Sequence, residues 1–166
     1  GFTQGAAQEM VWHGWDLVKR GESKVGIVQM CQGIEALRTT GAEIERPWLL
    51  SALASAYGQA GRADEGLAVL DEALAIAEPN RMETLITEIY GSYGRIYLNK
   101  GDFIKSLHYF ENTVKRLDNI YSRLQSIYNI VLLFAWSGQY TKAKHYFDEA
   151  GEIYRKYSIP IFRRIM

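Results

Sequence analysis

The stretch that decides the fold is ASAYGQAGRADEGLAVLDEALAIA at residues 54–77. An apolar run ends at Gly61, a short polar segment follows, and from Leu67 onward apolar residues recur every three or four positions. This spacing places them on one face of an α-helix, whereas a half-buried strand would alternate at every second residue. Glycine accepts the left-handed conformation that ends a helix without a steric penalty. The stretch therefore predicts two helices joined by a tight turn at Gly61.

The same pattern occurs four times along the 166 residues. The glycines that end the first helix of each pair are 40, 40 and 37 residues apart: Gly21, Gly61, Gly101 and Gly138. We therefore predict an all-α fold, a solenoid of about four antiparallel helix pairs. The predicted helices span residues 4–20, 23–39, 47–60, 63–78, 81–100, 103–117, 119–137 and 140–157.

Small and bulky residues recur at fixed offsets from these glycines. A small residue stands five positions after each one, and a bulky apolar residue stands nine positions after it: Met30, Leu70, Phe110 and Phe147. These columns resemble the tetratricopeptide repeat family. The resemblance implies a right-handed superhelix in which the first helix of each pair lines a concave groove that binds peptides or helices. The period exceeds the usual 34 residues of that repeat, so we expect longer helices.

The chain reads as one solenoid with units at about 4–40, 46–79, 80–117 and 118–157, and with 158–166 as the truncated start of a further helix. We expect Pro47 to open its helix and Asn80 to cap the next one.

The composition changes near residues 79–80. The first 80 residues hold 13 Ala, 1 Tyr and a net charge of −5, and the remainder holds 3 Ala, 10 Tyr and a net charge of +5. This change is compatible with natural drift along a solenoid or with a splice of two sequences.

Residues 14–77 also resemble the repeat region of large bacterial signalling proteins that join an ATPase-like module to a cyclase or DNA-binding domain. The resemblance implies a regulatory array without chemistry of its own. Because the chain begins with Gly1 and stops after the apolar and basic IPIFRRIM at residues 159–166, we expect a fragment of a longer protein.

The sequence offers little for catalysis. Cys31 lies in an apolar helical run, which favours a buried, inert thiol over a nucleophile. His108 and His145 occupy equivalent positions, which we interpret as partly exposed surface rather than as metal ligands. No phosphate-binding loop or hydrolase motif is present, so we expect no enzyme activity, metal or cofactor.

Other classes of partner and location are judged from charge and hydropathy. Basic residues in the second half are interspersed with acidic ones, which argues against nucleic acid. No apolar run is long enough for a membrane span and no signal peptide is visible, so we expect a cytoplasmic protein.

The resemblance also implies which residues line the groove, because the groove positions of the family lie at fixed distances from the turn glycine. We identify the equivalent residues of this chain by counting back from each of its turn glycines. The resulting candidate partner-binding residues are Trp15, Lys19, Trp48, Gln59, Arg95, Asn99, Tyr128 and Trp136. The other residues in these positions are Val11, Val18, Ser51, Ser55, Glu88, Leu98, Gln125 and Leu132. Tryptophan and arginine are common interface anchors, although Trp15 and Trp136 also suit packing between neighbouring first helices. Arg95 and Asn99 lie one turn apart, so both could grip the backbone or a carboxylate of a peptide.

Two functions remain open at this point. The first is a protein- or peptide-binding scaffold, a regulatory region that uses the groove. The alternative is a passive structural or oligomerisation array without a ligand, and an engineered or chimeric array falls under this alternative. Uncapped ends of a solenoid also make self-association possible.

Overall fold

The computed structural model describes residues 3–41, 44–116 and 120–157, and these ranges form eight α-helices and no strand. The helices are α1 (Gln4–Lys19), α2 (Ser23–Thr40), α3 (Arg46–Gln59), α4 (Ala63–Ala77), α5 (Glu83–Asn99), α6 (Phe103–Lys115), α7 (Ile120–Trp136) and α8 (Tyr140–Tyr157). Every predicted helix is present, with ends within two residues of the prediction. The all-α array of helix pairs is therefore confirmed, while the right-handed superhelix stays a prediction.

The four turn glycines end the first helices in one shared geometry. Their φ angles lie between 73° and 91°, in the left-handed region. The residue after each glycine donates its backbone N–H to a carbonyl five positions back, as Arg62 does to Tyr57 at 2.9 Å and Asp102 to Tyr97 at 3.0 Å. This arrangement satisfies carbonyls that the end of a helix would otherwise leave unpaired. The role predicted for these glycines is confirmed.

The junction between α4 and α5 differs from the prediction. Asn80 does not cap α5; its side-chain amide donates to the Ile76 carbonyl in the last turn of α4 at 2.8 Å. Met82 occupies the capping position instead, and Arg81 adopts a positive φ of 52°. The amide nitrogen of Asn80 thus satisfies a carbonyl that the end of α4 would otherwise leave unpaired. Pro47 is the second residue of α3, where its missing N–H is also harmless.

The helices stack in two layers. Each first helix packs against its own second helix, and each second helix packs against the next first helix. In addition, α1 contacts α3, α3 contacts α5, and α5 contacts α7. The first helices therefore lie side by side and form one continuous face of the solenoid.

The core follows the repeat columns. Met30, Leu70 and Phe110 have no exposed surface, and Met30 and Phe110 lie against the first helices of their own pairs at Gly14 and Gly94. Phe147 stands in the same column of α8, the last helix in the described ranges, and is 52% exposed.

None of the described helices combines the length and hydrophobicity that a membrane crossing requires. Residues 158–166, the predicted start of a ninth helix, lie outside the described residues. The unit boundaries and the splice near 79–80 stay predictions.

Candidate partner-binding groove

A groove of about 520 Å³ lies on the face formed by the first helices. Three tryptophans, four serines, two small residues and two charged residues line it: Trp12, Trp15, Trp48, Ser51, Ala52, Ser55, Glu88, Gly91, Ser92, Arg95 and Ser122. Apart from Ser122 of α7, these side chains come from α1, α3 and α5. The groove therefore depends on the side-by-side packing of those three helices.

Helical spacing explains which residues face the groove. Positions 13, 9, 6 and 2 before a turn glycine are separated by four, three and four residues, and such positions share one helical face. Trp48 and Glu88 occupy the first of these positions, and Trp15, Ser55 and Arg95 occupy the third. Because the first helices are neighbours, equivalent positions from successive pairs are brought together on the floor of the groove.

The tryptophans form an apolar wall at the α1 and α3 end of the groove. Trp12 is 52% exposed and Trp48 is 39% exposed, whereas Trp15 is half-buried against the core. The ammonium group of Lys19 lies 5.3 Å from the ring centre of Trp15. This much aromatic surface open inside a concave face is typical of a binding site, since tryptophan is a frequent interface anchor.

Arg95 supplies the positive charge of the groove. Its Nη2 donates to the Ser92 hydroxyl at 2.8 Å, and no carboxylate of the described residues lies within ion-pair distance of it. The surrounding walls lower the pKa of Arg95 by desolvation, and the charge of Glu88 partly opposes this. The guanidinium nevertheless stays protonated at neutral pH, and most of its five N–H donors remain available to a ligand.

Of the eight predicted site residues, the structure brings Trp15, Trp48 and Arg95 together in the groove. Lys19 lies beside them over Trp15. Gln59 and Asn99 are exposed at the ends of α3 and α5, outside the groove lining.

The two candidates on α7 lie elsewhere. Tyr128 is exposed but does not line the groove. Trp136, which is 71% exposed, lines a separate cavity of about 310 Å³ between α6 and α7. Its neighbours there include Phe103, Ile104 and Phe134.

Among the wider set of family positions, Ser51, Ser55 and Glu88 also line the groove. Val11 and Val18 are buried in the core instead. Both lie on the side of α1 that turns away from the groove face.

The sequence reasoning missed Trp12, Ala52 and Ser92, which share the position nine residues before a turn glycine. The spacing of four, three and four residues would have identified this column, because it completes the groove face. Gly91 also lines the groove, but without a side chain it gives no sequence signal of a binding contact. Ser122 reaches the groove from the next helix pair, and no sequence pattern signals such a contact.

The remaining candidates for chemistry lie apart from the groove. His108 and His145 are exposed, as predicted, and Nε2 of His108 lies 3.0 Å from the Asn112 amide nitrogen. Cys31 is half-buried rather than buried, and its Sγ lies 3.7 Å from the hydroxyl of Tyr57 on α3. Within residues 3–41, 44–116 and 120–157, no three His, Cys, Asp or Glu side chains are grouped to hold a metal ion.

Comparison with known proteins matches the chain to one family model. No curated protein matches the chain. Residues 87–115 match the family model described as the tetratricopeptide repeat. This match covers most of α5 and all of α6, so it coincides with the third helix pair and includes Arg95. The chain is therefore tetratricopeptide-like in this pair, which supports a protein-interaction scaffold in general terms.

Proposed function

We propose that the chain is a protein-interaction scaffold that holds a peptide or helix of a partner protein in the groove formed by α1, α3 and α5. The observation that supports this most is the convergence of Trp12, Trp15 and Trp48 on one groove of about 520 Å³. Pockets of this size are in the range that proteins use for specific binding.

The shape of the groove favours an extended segment. It crosses three neighbouring helices, whose axes are usually 8–10 Å apart, so it spans roughly 16–20 Å. An extended chain covers that distance with about five or six residues. We therefore expect a short linear segment of the partner to make the main contacts.

The wider biological role is inferred from sequence alone. The resemblance of residues 14–77 to bacterial signalling regulators supports a regulatory repeat region of a larger cytoplasmic protein. In such a protein the groove would hold a partner or a neighbouring domain.

The proposal is tested by selecting binders from a library of random nonapeptides and comparing two tryptophan variants. Trp48→Ala removes part of the groove wall, and we expect it to weaken the selected peptide by about tenfold or more. Trp136→Ala is the matched control, because it removes an equally large and more exposed ring outside the groove. Binding is measured by fluorescence anisotropy of the labelled peptide.

Circular dichroism and thermal unfolding should show that both variants keep the wild-type helicity and stability. If the library gives no binder, or if both variants weaken binding equally, the passive structural array is the better description.

A further inference from the structure

The cavity of about 310 Å³ between α6 and α7 shares no residue with the groove. Six apolar side chains line it: Phe103, Ile104, Leu107, Leu133, Phe134 and Trp136. Its two polar side chains are used within the protein, since Gln139 Nε2 donates to the Ser137 hydroxyl at 3.0 Å and that hydroxyl donates to the Phe134 carbonyl at 3.1 Å. The cavity therefore offers mainly apolar contacts to a ligand.

An equivalent junction occurs wherever one helix pair meets the next, because the start of each second helix lies beside the end of the following first helix. Between the second and third pairs, Asp64 and Lys100 join across this junction at 2.5 Å. Between the first and second pairs, charged side chains that include Lys24 and Arg62 line it. Lys24, Asp64 and Ile104 all stand three residues after a turn glycine. The fold therefore accepts a charged residue at this position, and the apolar Ile104 is not a requirement of the solenoid.

The apolar side chains of the third junction remain open to solvent. Ile104 is 84% exposed, and Phe103 is exposed beside it. Phe103 and Tyr140 stand two residues after their turn glycines, where the first two pairs have Ser23 and Ala63. Tyr140 is also exposed. A cluster of exposed large apolar side chains around a cavity indicates a binding surface, because a ligand that covers it removes apolar area from water.

Lys142 supplies a positive charge beside the cavity. Its ammonium group lies 5.3 Å from the ring centre of Phe134, one of the lining residues. No carboxylate of the described residues lies within ion-pair distance of Lys142. The sequence around it favours this, because residues 119–147 contain no Asp or Glu.

Other lysines near the junction are paired with carboxylates. The ammonium group of Lys105 lies 3.4 Å from Asp102, which also caps α6 by accepting the Lys105 backbone N–H. Lys144 pairs with Asp148 at 2.6 Å. Lys142 is therefore the cation most available to a ligand at this cavity.

We infer that the cavity binds an alkyl chain that ends in a carboxylate, a fatty acid anion, with the chain against the apolar lining and the carboxylate at Lys142. The alkyl chain matches a described lining that holds no charged side chain. A carboxylate matches Lys142 because it brings one negative charge at neutral pH, whereas a phosphate monoester would bring almost two. The site is separate from the proposed groove function and does not depend on it.

The test follows the indole N–H signals of the four tryptophans in ¹⁵N–¹H NMR spectra of the full chain. Trp136 lines the cavity, whereas Trp12, Trp15 and Trp48 line the groove, so the signals distinguish the two sites. The spectrum of Trp136→Ala identifies the Trp136 signal. Hexanoate, octanoate and decanoate are titrated below their micelle concentrations, and 1-octanol is the uncharged analogue.

We expect each carboxylate to shift the Trp136 signal and to leave the three groove signals unchanged. The dissociation constant should fall about two- to fourfold for each added methylene, because each methylene leaves water for the apolar lining. Lys142→Gln should weaken octanoate about threefold and leave 1-octanol unchanged. Ile104→Ala should weaken both ligands about threefold or more, and Val25→Ala, at an exposed position of α2 outside the cavity, should weaken neither.

A Trp136 signal that no carboxylate shifts would overturn the inference, and so would shifts confined to the groove tryptophans. Equal losses of octanoate and 1-octanol on Lys142→Gln would overturn the assignment of the carboxylate. Sedimentation velocity without ligand tests a different occupant: a wild-type dimer that becomes a monomer on Ile104→Ala would assign this face to a second copy of the chain and overturn the inference. None of these outcomes bears on peptide binding in the groove, which Trp48→Ala tests separately.

Discussion

The first and third helix pairs use the same repeat columns but hold their helices together differently. In the first pair, Gly14 and Gly26 bring α1 and α2 so close that a Cβ on Gly26 would lie 2.4 Å from the Gly14 carbonyl oxygen. In the third pair, Tyr109 of α6 stacks on Tyr93 and Tyr97 of α5, with ring centres 4.7 and 5.5 Å apart. The repeat thus tolerates either backbone contact or aromatic filling, provided that the core is close-packed.

The Ala-rich half of the chain, residues 1–80, and the Tyr-rich half, residues 81–166, meet at the contact between α4 and α5. The Tyr93 hydroxyl donates to the carboxylate of Asp71, and the Lys100 ammonium lies 2.5 Å from an oxygen of Asp64. Acidic residues of the Ala-rich half therefore pair with tyrosine and lysine of the Tyr-rich half. The change in composition near residues 79–80 is bridged by polar contacts as well as by apolar packing.

The largest expected effect tests the aromatic filling. Phe110→Ala should lower the free energy of unfolding by about 3–5 kcal/mol, because it leaves a cavity at a side chain with no exposed surface. Phe147→Ala changes the same column at a 52% exposed position and should cost less than about 1 kcal/mol. Urea denaturation followed by circular dichroism measures both. Similar losses would show that the exposed face of α8 is as well packed as the interior.

A second pair of variants tests the backbone contact. Gly26→Ala should cost about 2–3 kcal/mol, since its Cβ would meet a backbone oxygen that cannot move without separating α1 from α2. Gly66→Ala occupies the same column in α4, where the nearest backbone atom is 3.1 Å away and the closest side-chain atom is the movable end of Ile96.

We expect Gly66→Ala to cost about 1 kcal/mol or less, because the better helix propensity of alanine offsets the adjustment. Thermal unfolding of the two variants gives the comparison. If Gly66→Ala destabilised the chain as much as Gly26→Ala, close backbone approach would not distinguish the first pair from the second.

A smaller effect is expected at the contact between α4 and α5, where the Ala-rich and Tyr-rich halves of the chain meet. Tyr93→Phe keeps the stacked ring and removes the hydrogen bond to Asp71, so it should lower the free energy of unfolding by about 1–2 kcal/mol. Tyr128→Phe, at an exposed position on α7, is the matched control and should have no measurable effect. The free energies of unfolding are measured by urea denaturation at neutral pH. Equal values for the two variants would contradict the expectation.

The same tyrosine gives a pH dependence. Burial raises the pKa of Tyr93 above its ordinary value of 10.0, and the Asp71 carboxylate raises it further. The folded chain therefore resists an ionisation that the unfolded chain undergoes near pH 10, so this contribution to stability is complete below that pH and declines above it.

We expect the loss of stability between about pH 9 and about pH 11 to be smaller in Tyr93→Phe than in the wild type. Desolvation also raises the pKa values of Tyr109 and Tyr146, so a residual loss should persist. Equal pH profiles would show that Tyr93 ionises as readily in the folded chain as in the unfolded one.

Local sequence patterns were sufficient to predict the helices and turns, but they predicted only some of the residues that line the groove. Gly61 and its equivalents located all four turns, because the left-handed conformation at a helix end is a local requirement. Counting from them placed Trp48 and Arg95 in the groove, but it also selected Val18, which is buried, and Trp136, which lines another cavity. A position in a repeat column specifies the side of a helix only approximately, and neighbouring helices decide what remains open.

By itself, the sequence determined the fold class, the eight helices of the described ranges and the glycine turns, since each depends on residues close together in the chain. The tertiary structure alone decided that Trp12 joins Trp48 in one groove, that Arg95 lies there with no carboxylate of the described residues within ion-pair distance, and that Asp71 reaches Tyr93. These features depend on the distance and rotation between packed helices. Those quantities result from the balance of all side-chain contacts across an interface, which no single repeat encodes.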